Sequence, residues 1–119
     1  MMPDRGPAPR SLATVPRVSL VLAIDAGTTG VRSIAFDRSG TPVRSAYREF
    51  TQHFPRPGWV EHDAAEIWSV TLETLAELMA GLDGRVDDEI ATIGITNQRE
   101  TVVVWDRVTG EPQHRAIVW

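Results

Sequence analysis

The sequence predicts an α/β fold with the element order β-β-β-α-β-β, cut off partway through its sheet. Three observations lead there. Two apolar stretches of strand length, Val18–Asp25 and Val31–Asp37, lie either side of a short glycine-containing turn. One long stretch, Ala64–Leu82, repeats apolar residues at three- and four-residue steps. The chain closes on Ala116-Ile117-Val118-Trp119, which begins as a strand would and ends without cap, charged tail or turn. That last feature suggests a fragment.

The elements follow in order. Residues 1–17 read as a disordered leader. Pro3, Pro7, Pro9 and Pro16, four of the 8 prolines, stand there with Gly6, and proline at that density prevents a helix. The same prolines would break the amphipathic helix of a transit peptide. Val18–Ile24 imitates a signal peptide, but Ser19 interrupts it, Asp25 halts it and no small-x-small cleavage site follows. Its near-continuous hydrophobicity predicts a strand covered on both faces. Residues 18–119 read as the folded part, an α/β sheet cut off partway. Val31–Asp37 is the second strand, closed by the turn Asp37-Arg38-Ser39-Gly40. Thr41–Phe50 is a third, whose alternating polarity suits a sheet edge.

Two prolines and a glycine make Phe54–Gly58 a loop. A helix then runs over Ala64–Leu82, with Asp63 at the cap and Glu66 at capping-box spacing. Trp68, Leu72, Leu75, Met79 and Leu82 form its expected sheet-facing stripe, and Gly84 can end it. Ile90–Ile95 and Thr101–Trp105 read as strands, with a polar loop between them and a turn at Asp106–Gly110. Trp68 and Trp105 are expected in the core, His114 on the surface, and Trp59 and Val60 as a lid over the start of the helix.

Composition excludes several chemistries. There is no Cys, so disulfide frameworks, thiolate metal sites and cysteine nucleophiles are absent. All 12 basic residues are Arg, which removes a lysine-bearing phosphate loop and a Schiff-base lysine from this chain. A net charge of -4 gives no footprint for nucleic acid or an anionic membrane. No apolar run approaches the roughly 20 residues of a membrane span.

Chemistry concentrates in two places. Asp25-Ala26-Gly27-Thr28-Thr29-Gly30 joins strand to strand. Gly27 and Gly30 allow close backbone approach, and successive turn N–H groups make a concave anion site. The hydroxyls of Thr28 and Thr29 add donors. Asp25 can hold hydrated Mg²⁺ through water, because hard oxygen ligands suit that ion. Arg32 can neutralise phosphate charge with its planar fork. A plain hairpin loop uses the same residue types, so composition leaves both readings open. The turn lacks the Gly-Lys-Ser/Thr of a P-loop and the GxGxxG of a dinucleotide site.

The second place is Asn97-Gln98-Arg99-Glu100. An Arg fork donates while a carboxylate accepts, which complements a hydroxyl-rich molecule, although a solvated turn also explains it. A metal site from His53, Glu61, His62 and Asp63 lacks ligand spacing. Trp119 ends a strand beside the expected cleft, where its ring can meet the apolar edge of a substrate.

Five strings carry a family resemblance: Leu22–Thr29, Arg48-Glu49-Phe50, Pro57-Gly58-Trp59-Val60-Glu61-His62-Asp63, Gly94–Thr101 and Ile117-Val118-Trp119. Together they resemble the N-terminal part of the glycerol kinases, within the FGGY carbohydrate kinases, from about Val18 to Trp119. The resemblance implies a partial ribonuclease H-like domain of the actin/hexokinase ATPase type. It also implies ATP-dependent phosphorylation of glycerol to glycerol 3-phosphate, with Mg²⁺, in a cytoplasmic enzyme. Thr28, Thr29 and Arg32 would contact ATP or ADP phosphates beside Gly27 and Gly30, and Asp25 would assist Mg²⁺. Arg99 and Glu100 would hydrogen-bond glycerol and Trp119 would flank its carbons. Gly30 stands where many members carry Ser, and Ala26 replaces a commoner Gln. The family's general base, an Asp, belongs beyond residue 119, so the chain alone is expected not to turn over. A homo-oligomeric full-length protein stays open. Competing readings are another FGGY polyol or sugar kinase, a non-enzymatic nucleotide switch sharing only the Asp25–Thr29 turn, and a truncated binding module.

Overall fold

The computed structural model describes residues 19–82 and 89–118. The expected leader, Gly84 and Trp119 lie outside the described residues, and the helix expected to reach Leu82 ends at Ala80, capped by Gly81 rather than Gly84. The strands are β1 (Ser19–Ala26), β2 (Gly30–Phe36), β3 (Pro42–Glu49) and β4 (Val60–His62), followed by the helix α1 (Ala64–Ala80), β5 (Glu89–Thr96) and β6 (Ala116–Val118). A four-stranded sheet runs β3-β2-β1-β5, and β4 pairs with β6 in a separate two-stranded ladder. The β1–β2 and β2–β3 pairs are antiparallel, whereas β5 runs parallel to β1. The polar strand β3 takes the edge, as its alternation implied.

The β2–β3 turn is built by Asp37. Its Oδ1 accepts from the N–H of Ser39 at 2.8 Å and of Thr41 at 3.0 Å, and Gly40 supplies the φ of 80° that the turn requires. Asp63 caps α1 by accepting from the N–H of Ala65 and Glu66. The reciprocal half of the expected capping box is not made. Glu66 instead accepts from the N–H and hydroxyl of Thr51, tying the helix start to the end of β3.

The core lies between α1 and one face of the sheet. Leu22, Ala35, Ala46 and Leu78 form one cluster, and Ile24, Val31, Phe50 and Val70 another. Each buried Leu, Ile or Val contributes about 1.5–3 kcal/mol of transfer free energy. Arg48 adds exposed ion pairs to Glu73 and Glu77 across β3 and α1, worth about 0–1 kcal/mol each.

Several expectations are corrected here. The sheet-facing side of α1 carries Val70, Thr71, Thr74 and Leu78, while Trp68 is 62% exposed and Leu72 and Met79 are exposed too. Leu75 and Leu82 of the expected stripe do pack against the core, but the rest of the face is shifted because two threonines are buried with their hydroxyls satisfied. Thr71 donates to the Ile67 carbonyl, and Thr74 shares a hydrogen bond of 2.9 Å with Ser33. β1 is covered on one face only, since Val21 and Asp25 on the other remain exposed.

Thr101–Trp105 forms no strand. Among the described residues only a bridge from Trp105 to Pro112 is made, held by the Gln113 N–H on the Val104 carbonyl and the Asp106 N–H on the Glu111 carbonyl. Trp105 is accordingly 61% exposed. Trp59 is exposed beneath the Arg56 guanidinium, and Val60 opens β4, an element the sequence reading lacked. The expected lid is therefore a strand and its approach. The observed order becomes β-β-β-β-α-β-β.

Candidate functional site

Register brings the two polar places together. β1 and β5 run parallel and in step to Asp25 and Thr96, so both end at the same edge of the sheet. The Gly27–Thr29 turn leaves β1 there, and Asn97–Glu100 leaves β5 beside it. Ligands of open α/β sheets bind outside such carboxyl ends. Across the sheet, Tyr47 pairs with Arg32, Arg32 with Asp25 and Asp25 with Thr96, which forms one row on the face away from α1. Within that row the Arg32 guanidinium lies 5.3 Å from the centroid of the Tyr47 ring.

The turn is held from one side. The Gly27 N–H donates to the Gly30 carbonyl at 3.0 Å. The carbonyl of Gly27 accepts from Gln98 Nε2 at 2.8 Å, that of Thr28 from Gln52 Nε2 at 3.1 Å, and that of Thr29 from the Phe50 N–H at 3.4 Å. Among the described residues nothing accepts from the N–H of Thr28 or Thr29, and both residues are exposed. These are the free donors an anion needs. A Cβ at Gly30 would run into the Arg48 carbonyl and come within 2.8 Å of the Tyr47 hydroxyl, so this position accepts only glycine in the present backbone.

The second corner contains backbone strain. Glu100 has φ 58°, the left-handed region that L residues with a Cβ rarely occupy. Holding a glutamate there costs about 1–3 kcal/mol, and such outliers cluster at functional sites. Arg99 and Glu100 are both exposed. Thr101 steadies the corner by donating to Gln98 Oε1 at 3.3 Å. Trp119 follows β6, which β4 holds through the Val60–Val118 register, but lies outside the described residues.

Sequence reasoning passed over Gln52, and it named Gln98 in the polar loop and His62 in the rejected metal set without seeing that the three meet. His62 is 0% exposed and sits between the two glutamines, 2.6 Å from Gln52 Oε1 and 3.2 Å from Gln98 Nε2. Phe50 meets its ring edge to face, with centroids 4.9 Å apart. Burial lowers its pKa from 6.5, with His53 acting in the same direction and Gln98 and Glu66 opposing. A histidine within a string of otherwise explained residues was the available signal.

Comparison with known proteins fits this geometry. The N-terminal domain of the FGGY family of carbohydrate kinases matches residues 20–119. The chain belongs to that family. Among curated FGGY relatives, the glycerol kinase of Carboxydothermus hydrogenoformans is 61% identical over 99 residues, covering 83% of this chain and 20% of that protein. The glycerol kinase of Stenotrophomonas maltophilia is 61% identical over 100 residues, with the same coverage. The chain thus spans about one fifth of the length of these relatives. Among solved structures, Plasmodium falciparum glycerol kinase with ADP superposes with a TM-score of 0.82 at 38% identity, over 87% of this chain and 21% of that one. A xylulose kinase from Rhodospirillum rubrum gives 0.75 at 33%, over 82% and 20%. The actin/hexokinase-type FGGY fold expected from the sequence is therefore the fold present. Among the described residues no helix is long and apolar enough to cross a membrane.

Proposed function

We propose that this chain is the nucleotide- and glycerol-binding part of an ATP-dependent glycerol kinase. The observation that carries the reading is the shared edge. A turn with free N–H donors and a corner pairing Arg99 with Glu100 emerge from adjacent parallel strands, joined by Gln98.

Thr28, Thr29 and Arg32 take the phosphate oxygens of ATP or ADP, with Gly27 and Gly30 giving close approach. Asp25 is exposed and projects from the same row as Arg32, beside the turn, so its carboxylate suits a hydrated Mg²⁺ accompanying the nucleotide. When bound, that ion supplies neutralisation of phosphate charge. Arg99 donates to glycerol hydroxyls and Glu100 accepts from them. Trp119 flanks the carbon chain. The proteins solved with this fold include a glycerol kinase with ADP, which supports nucleotide use here. Catalysis by this part of the site consists of alignment and charge neutralisation. The general base, an Asp, is assigned outside this segment.

The test is a full-length chimera in which residues 20–119 replace the matching segment of a curated relative. It should phosphorylate glycerol with ATP, and Arg99→Ala should raise the glycerol KM while sparing the ATP KM. Preference for a five-carbon polyol or sugar across a substrate panel would transfer the assignment to another FGGY kinase. An unchanged glycerol KM in Arg99→Ala would remove that residue's role.

A further inference from the structure

Two carbonyls of the phosphate turn are gripped by two glutamines, and one buried histidine stands between those glutamines. Gln98 Nε2 reaches the Gly27 carbonyl at 2.8 Å and Gln52 Nε2 the Thr28 carbonyl at 3.1 Å. In a trans peptide the carbonyl of one residue and the N–H of the next point in opposite directions. Fixing the Gly27 carbonyl therefore aims the Thr28 N–H, and fixing the Thr28 carbonyl aims the Thr29 N–H. The aim is away from the glutamines, toward solvent.

A neutral His62 ring with its proton on Nε2 fits the contacts of the clamp. Gln52 donates from Nε2 to the carbonyls of Thr28 and Phe50, so its Oε1 must accept, and His62 Nε2–H at 2.6 Å is the donor. The neutral ring then accepts at Nδ1 from Gln98 Nε2 at 3.2 Å. The second proton of that amide goes to the Gly27 carbonyl, and Gln98 Oε1 accepts from Thr101. Gln98 Oε1 also lies 3.3 Å from Nδ1, so a proton added there meets an acceptor on the same amide.

We infer that His62 is a positioning residue, which through Gln52 and Gln98 orients the Thr28 and Thr29 N–H groups toward nucleotide phosphate. The inference rests on the phosphate-binding reading of the turn and extends it to the two glutamines that hold the turn's carbonyls and the histidine between them. Gln98 lies next to Arg99, so the clamp also sets the spacing between the phosphate turn and the polyol corner.

The experiment is steady-state kinetics on the full-length chimera, with ATP and glycerol varied separately well below its Tm. Gln52→Ala, a half-buried site, should raise the ATP KM about tenfold and leave the glycerol KM within about twofold. His62→Leu should do the same or more. His62→Gln, which keeps one donor and one acceptor, should recover most of the loss. Equal rises in both KM values accompanied by a fall in Tm would show a merely structural role and overturn the inference. So would an ATP KM unchanged in Gln52→Ala and His62→Leu while Thr29→Ala raises it. If His62→Leu does not fold, Gln52→Ala decides alone. An ATP KM unchanged in both Thr29→Ala and Arg32→Ala would overturn the phosphate reading itself, a result distinct from failure of the clamp.

Discussion

Asp25 and Arg32 stand directly opposite one another across β1 and β2, yet no ion pair joins them among the described residues. Arg32 lies over Tyr47 instead, and the Asp25 carboxylate stays exposed. Opposite charges left apart at a sheet edge are available to a ligand carrying both anionic oxygens and a cation. Removing Arg32 takes away one charge-assisted contact, worth about 1.5–3 kcal/mol. Arg32→Ala in the full-length chimera should therefore raise the ATP KM about ten- to a hundredfold, with the glycerol KM unchanged. Tyr47→Ala, which only frees the guanidinium, should have a smaller effect. Kinetics with each substrate varied in turn checks both.

Glu100 offers a separation of stability from binding. Glycine adopts a φ of 58° without steric cost, so Glu100→Gly should leave Tm unchanged or slightly raised. The same change removes the acceptor carboxylate, and glycerol KM should rise at least about tenfold. Thermal melts beside glycerol kinetics would show the two moving apart. A large fall in Tm would mean the glutamate is held for structure.

His62 predicts a pH effect of definite sign. Its pKa is lowered on folding, chiefly by burial and also by His53, so the unfolded chain binds the extra proton more readily. Stability should be fully present above about pH 6.5, fall as pH drops through the window down to the lowered value, and level off below it. Glu66, the charged group on α1 facing the ring, opposes the shift without reversing it. Melting temperatures between pH 7.5 and 5 should show this decline, and His62→Gln should flatten it.

Gly30 and Gly94 make a paired test of close packing. Alanine at Gly30 meets the Arg48 backbone, which cannot move without breaking the β2–β3 register, and should cost about 1–3 kcal/mol. Alanine at Gly94 meets nothing within 4 Å and should be neutral or slightly stabilising. Denaturant unfolding of the two variants measures the contrast.

Much of the fold was legible in the sequence because strands β1, β2 and β3 and the cap at Asp63 depend on local pattern and turn chemistry. The helix face was not, since burying Thr74 depends on a partner, Ser33, 41 residues away. The strand expected at Thr101–Trp105 failed for a similar reason: apolar alternation does not show whether a segment finds a pairing partner, and among the described residues only the Trp105–Pro112 bridge forms. Within the site, Thr28, Thr29, Arg32, Arg99 and Glu100 stood out by residue type. The clamp did not, because Gln52, His62 and Gln98 come from three separate segments that only the tertiary fold brings together.

The most direct test of the central claim is a crystal structure of the full-length chimera with glycerol and a non-hydrolysable ATP analogue. Phosphate oxygens about 2.7–3.2 Å from the nitrogens of Thr28 and Thr29, with glycerol between Arg99 and Glu100, are the expected result. Both ligands bound elsewhere, with the Gly27–Gly30 turn and the Asn97–Glu100 corner contacting neither, would contradict it.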